Sequence, residues 1–123
     1  MAKIKTYRSS SGIDILVGQD DESNDYLTLS VAHQNDVWLH VSGTPGSHVI
    51  LRCGEAGIEP DKTSLREAAG LAAWFSKMRD GGNVTVSYCR ARNVSKPRRA
   101  RAGTVTISGA KKLKVQPVLL DEK

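Results

Sequence analysis

The chain has 123 residues, 39% hydrophobic and 25% charged, which fits one ordinary globular domain and excludes a disordered or fibrous chain. No apolar run approaches the roughly 18 residues of a membrane span, and the opening MAKIKTYRSSSG lacks the apolar stretch of a secretory signal, so a cytoplasmic protein with no membrane partner is expected. Cys53 and Cys89 stand far apart in no paired spacing and read as reduced, buried thiols; a domain of this size needs no disulfide, metal or cofactor to fold.

In chain order, IKTYRSS and IDILVG around Ser11-Gly12 predict a hairpin. QDDESND reads as a solvated acidic loop, with Asn24 as the N-cap of a short helix over NDYLTLSVA. DVWLHV alternates, with Val37, Leu39 and Val41 on one face and Trp38 and His40 on the other. GTPG breaks this strand, and SHVILR begins the next, with Val49 and Leu51 opposite His48, Ile50 and Arg52. DKTSLREAAGLAAWFSKMRDGG predicts the one long helix, capped by Asp61 or Thr63. Leu65, Ala68, Ala69, Ala72, Phe75 and Met78 form its apolar stripe, Lys77 and Arg79 its C-terminal turn, and Gly81-Gly82 its stop. Gly70 would allow close packing on a sheet. VTVSYCRA and TVTIS predict two more strands, GAKKLKVQP a last strand or turn, and LLDEK an end that frays over 121–123. The expected fold is α+β: a mostly antiparallel sheet carrying one long and one short helix, in a single domain over 1–120.

The charge is unevenly placed. Residues 1–80 carry 8 basic and 11 acidic side chains, whereas residues 81–120 carry 9 basic and none acidic. Arg90, Arg92, Lys96, Arg98, Arg99 and Arg101 crowd a connection of about ten to twelve residues between strands, long for a hairpin loop. Lys111, Lys112 and Lys114 follow. Guanidinium forks suit phosphates, and cations packed this closely repel one another until a polyanion arrives. Nucleic acid is therefore the first partner to consider and an anionic membrane surface the second. Six aromatic residues offer few stacking platforms, and no helix-turn-helix, zinc-finger or RNP pattern is present, which favours backbone and shape recognition of structured RNA.

His40 and His48 would approach each other if their strands pair across GTPG. A small hydrolase or nuclease built on them is the alternative function. However, TPGSH is not a nucleophile elbow, no third group is placed to orient a base, and His40, His48 and Cys53 lack a fourth metal ligand. Structural histidines satisfied by backbone or by Asp36 are the simpler reading, with RNA contact beside it.

DVWLHVSGTPGSHVILR, AAGLAAWFSK and NVSKPRRARAGTV, in that order and with YRSSSGIDILVGQDDESND before them, resemble the NFACT-R domain, the RNA-binding module of the NFACT ribosome quality-control proteins. The resemblance spans nearly the whole chain, and its most specific piece is the D-x-W-x-H-x(4)-P-G-S-H block. It implies a non-enzymatic module that contacts tRNA or rRNA on the large ribosomal subunit. The implied contacts are Trp38, His40, Pro45, Gly46, Ser47 and His48 in one block, and Asn93, Lys96, Pro97, Arg98 and Gly103 in the other. Arg90, Arg92, Arg99, Arg101, Lys111 and Lys112 join them on charge alone. The N-terminal domain, helix-hairpin-helix elements and coiled coil of full-length NFACT proteins have no counterpart in this sequence, so a stand-alone form without their tailing activity is expected. Arg99 stands where the family pattern has glycine, and Ala102 where it has proline, adding charge and removing two backbone constraints.

Overall fold

A computed structural model describes residues 2–123. β1 (Ile4–Arg8) and β2 (Asp14–Gly18) form the expected hairpin, turning at Gly12, whose φ of 88° lies in the left-handed region open to glycine. β3 (Val37–Val41), β4 (Val49–Leu51), β5 (Val84–Arg90) and β8 (Lys111–Val115) complete one six-stranded sheet in the order β1-β2-β4-β3-β5-β8. Every neighbouring pair is antiparallel. β6 (Val94–Ser95) and β7 (Thr106–Ile107) make a separate small ribbon that holds the two ends of the basic connection together.

Period-two alternation assigns the two sheet faces. Ile15, Val17, Val37, Leu39, Val41, Val49, Leu51, Val84 and Val86 pack against Ala68, Ala69, Leu71, Ala72 and Ala73 of α2 (Lys62–Trp74), all buried. The alanines let the helix lie close to the sheet, so β-branched residues supply most of the core volume. On the opposite face Trp38, Ile50 and Cys89 are covered by Leu27 and by Val94 of the ribbon, with Leu16, Val105 and Ile107 at the margin. The fold is thus α+β in three layers: α2, the sheet, and a thin cover made of a short helix and the ribbon.

The structure revises four local expectations. The acidic stretch is not a loop: α1 (Asp21–Tyr26) starts inside it, capped by Asp20, whose carboxylate accepts the Ser23 N–H at 2.7 Å. A π-helical turn over Leu27–Val31 extends α1, and Asn24, the expected cap, is buried in its middle. Second, α2 ends at Trp74, so Lys77 and Arg79 lie beyond it and Met78 is exposed. Two tertiary contacts and one local cap mark the helix end: the Phe75 carbonyl accepts the Ser47 N–H at 3.1 Å, Gly46 bridges Ser76, and Ser76 Oγ donates back to the Ala73 carbonyl at 2.7 Å. Third, Gly70 packs on residues 116–118 rather than on the sheet. A Cβ there would meet Val118 Cβ at 3.1 Å, and the Gly70 carbonyl accepts the Val118 N–H. Fourth, the end of the chain lies along β1 instead of fraying. Glu122 bridges Tyr7, the Lys123 N–H donates to Thr6 at 2.7 Å, and Lys123 Nζ pairs with Asp14 at 2.9 Å.

Candidate nucleic-acid interface

The face opposite α2 is apolar at one end and polar at the other. Beyond the covered Trp38–Cys89 rung the register places His40 beside Ser87 and Ser87 beside Lys112. In the next rung the Ser42 N–H donates to Thr85, which pairs with Lys114, and the Ser42 and Ser87 hydroxyls are hydrogen-bonded. Lys112 and Lys114 alternate with Leu113 and Val115, which pack toward the α2 core, so both ammonium groups stand on this polar face and are exposed.

The basic connection is tied to the chain segment that also holds His48: Asp25 accepts the Gly103 N–H, and Asn24 the His48 N–H. Arg98, Arg99 and Arg101 are exposed and form no ion pair among the described residues. Arg99 has φ 64°, the single non-glycine residue with positive φ among those described, at the position where the resemblance expects glycine. Lys96 behaves differently. Its Nζ donates to the carbonyls of Arg101 (2.6 Å) and Thr104 (3.2 Å) and pairs with Asp25 Oδ2 at 3.1 Å. Arg90 is also held, by Glu59 at 2.7 Å and by the Asn35 carbonyl at 2.7 Å. Arg92 donates to the Asn35 side chain and stays exposed. The nine cations were expected without acidic neighbours. The fold brings Asp25 and Glu59 to two of them and leaves the other seven without an ion pair among the described residues.

The expected contact residues do not form one patch. Arg98, Arg99 and Arg101 belong to the loop, and His40, Lys112 and Lys114 to the polar end of the sheet. Arg90, Asn93 and Lys111 instead line a separate cavity of about 200 Å³ with Tyr88 and Leu65, by the start of α2. Ser47 and its Pro45-Gly46 turn are pinned to the end of α2 and line a cavity of about 410 Å³ with Trp74, over whose ring the Arg79 guanidinium sits at 4.8 Å. Trp74 is only half-buried.

Trp38, His40 and His48 form a compact aromatic cluster: Trp38 stacks on His40 at 5.8 Å, and His48 meets both edge-on at 5.2 and 5.4 Å. His48 is 2% exposed, and its Nδ1 shares a hydrogen bond of 2.8 Å with the Thr28 hydroxyl. Burial, reinforced by the neighbouring His40, lowers its pKa to about 4, and burial also lowers that of His40. Both rings are neutral at pH 7; His48 is buried within the fold, and only the partly exposed His40 can offer a partner a hydrogen-bonding edge, without charge. Asp36, expected to satisfy a histidine ring, instead accepts the His33 and Glu55 N–H groups at 2.9 and 2.8 Å and pairs with Arg52 at 3.2 Å.

Sequence reasoning missed Asp25, Thr28, Ser42, Thr85 and Ser87. The alternation of Thr85 and Ser87 with Val84 and Val86 marks a polar strand face and was legible. Asp25 and Thr28 carry no local signal, because their partners lie far along the chain.

Exposed cations stand on the loop and on the polar, partly uncovered sheet end, and guanidinium and ammonium groups are the chemistry that pairs with phosphates. The chain belongs to the NFACT protein RNA-binding domain family, whose model matches residues 3–109. It is 44% identical over 114 residues to the Rqc2 homolog RqcH of Bacillus subtilis, covering 93% of this chain and 19% of that protein. The Streptococcus suis protein of the same name is 38% identical over 103 residues, covering 84% and 18%. The chain thus spans about a fifth of the length of these relatives. Among solved structures it resembles the C-terminal part of the fibronectin/fibrinogen-binding protein from Streptococcus suis, with a TM-score of 0.88 and 36% identity, covering 94% of this chain and 46% of that one.

Proposed function

We propose that this domain binds structured RNA, tRNA or rRNA, in the cytoplasm and within ribosome quality control, the large ribosomal subunit being the partner particle. The observation that carries the reading is a set of exposed cations with no ion pair among the described residues: Arg98, Arg99 and Arg101 on the basic loop, and Lys112 and Lys114 on the polar sheet end. The loop neutralises phosphates, and His40 and Ser42, partly exposed, offer neutral hydrogen-bonding groups suited to ribose hydroxyls. The family match and the RqcH relatives support RNA over other polyanions.

A salt titration with bulk tRNA and a 20-base-pair RNA hairpin tests it. Contact with about six phosphates gives a slope of log K against log salt near −5, and alanine at Arg98, Arg99 and Arg101 together makes it less steep by about 2.7. A slope unchanged by the triple substitution rejects the loop as the site. Binding to anionic vesicles with no RNA binding would replace RNA by a membrane surface.

The enzymatic alternative rests on the closeness of His40 and His48. His48 is buried, and Thr28 occupies one of its ring nitrogens, which leaves it poorly placed as a general base. Cleavage of labelled RNA by pure protein, lost in His40→Ala, would reverse this choice.

A further inference from the structure

α1 connects the two sequence blocks that carry the family resemblance. Asn24 holds the first: its Oδ1 accepts the His48 N–H at 3.0 Å, and its Nδ2 donates to the Gly46 carbonyl at 3.4 Å. The next residue, Asp25, holds the second: Oδ1 accepts the Gly103 N–H at 3.0 Å, and Oδ2 lies 3.1 Å from Lys96 Nζ. Lys96 closes the loop on itself through the Arg101 and Thr104 carbonyls. An ammonium has three N–H donors, and here three oxygens stand within 3.2 Å of it, on a side chain only 26% exposed. A phosphate would have to displace one of them. Gly103 is equally confined, because a Cβ there would fall 2.9 Å from Asp21 Oδ1.

We propose that Lys96 and Asp25 are positioning residues rather than RNA contacts: together they clip the basic loop to α1 and so hold the Arg98, Arg99 and Arg101 side chains in the arrangement that meets RNA. This assignment rests on the RNA-binding reading above for its purpose, though the clip itself can be tested without RNA.

Three substitutions in the whole chain separate the possibilities. With the tRNA and hairpin probes, a positioning pair predicts that Lys96→Met and Asp25→Asn both weaken binding, about three- to tenfold, while the salt slope stays the same, because the number of neutralised phosphates has not changed. A Lys96 in contact with phosphate predicts a slope less steep by about 0.9 in Lys96→Met. It also predicts tighter binding in Asp25→Asn, which removes a negative charge next to the polyanion. Lys96→Arg sharpens the contrast. Arginine is a good phosphate ligand, so it preserves or strengthens direct contact, but its flat fork cannot reproduce three separated acceptors and fails to restore a clip. The RNA-free readout is limited trypsin digestion after Arg98, Arg99 and Arg101, with circular dichroism showing that each variant is folded. Cleavage in the loop should speed up at least threefold in Asp25→Asn and in Lys96→Met. Unchanged loop cleavage overturns the clip even if RNA binding stands. Faster cleavage in a protein that binds no RNA upholds the clip and overturns the function given to it.

Discussion

Acidification should destabilise this domain through His48 before Asp14, Asp20 and Asp61 titrate. The imidazole is buried among Trp38, His40 and Thr28, and its pKa in the folded chain is about 4, against an ordinary 6.5. Below pH 6.5 the unfolded chain binds a proton that the native state refuses, so stability is complete above 6.5 and falls as the pH drops toward 4. Between pH 7 and 4.5 the loss from this ring alone is about 2.5 kcal/mol, a large share of a typical small domain's stability. His40, also lowered by burial, acts in the same direction. Three hydrogen-bonded carboxylates do not interfere in this window. Asp14, Asp20 and Asp61 have pKa values lowered by hydrogen bonds, chiefly from Lys123, Ser23 and Ser64, so their contributions persist until the pH falls below about 4. Urea melts of the wild type and His48→Asn at both pH values isolate the term. The variant starts less stable at pH 7 and should lose about 2 kcal/mol less on acidification. Parallel losses in the two proteins would refute the assignment of acid sensitivity to this ring.

Two further outcomes follow from backbone geometry. Alanine at Gly54 would set its Cβ 2.2 Å from the Asn35 carbonyl carbon and 2.4 Å from the Asp36 nitrogen, main-chain atoms that cannot step aside. It should cost about 3 kcal/mol or more in a urea melt, whereas alanine at Gly57, with φ 72° but open space, should cost about 1. Glycine at Arg99 relieves a left-handed residue at φ 64°, a gain of about 1 kcal/mol that the looser unfolded chain partly offsets. Its melting temperature should hold or rise slightly while the salt slope for RNA becomes less steep by about 0.9; a clear fall in melting temperature would show that the strain has been misread.

Strand identity and facing were written locally in this chain. The alternation in DVWLHV sent Val37, Leu39 and Val41 to the α2 side and Trp38 and His40 to the other, because side chains in a strand have no other choice of face. The concentration of positive charge after residue 80 was equally plain, and so was the resemblance carried by the two motif blocks. Helix ends and the partners of charged groups were not. Where α2 stops, a distant turn, Pro45-Gly46-Ser47, docks just past Trp74, the Ser47 N–H donating to the Phe75 carbonyl, and chain order does not announce that contact. Asp25 and Lys96, 71 residues apart, read as a solvated acid and a free cation until the fold places one against the other.

By itself the sequence determined which residues could be buried and which would carry charge, since hydrophobic periodicity and ionisation belong to each residue and its near neighbours. Only the tertiary structure decided which cations remain available to a partner and which are consumed in holding the loop. That depends on oxygens brought within about 3 Å across the fold, a distance over which hydrogen bonding and Coulomb attraction act and which chain order does not specify.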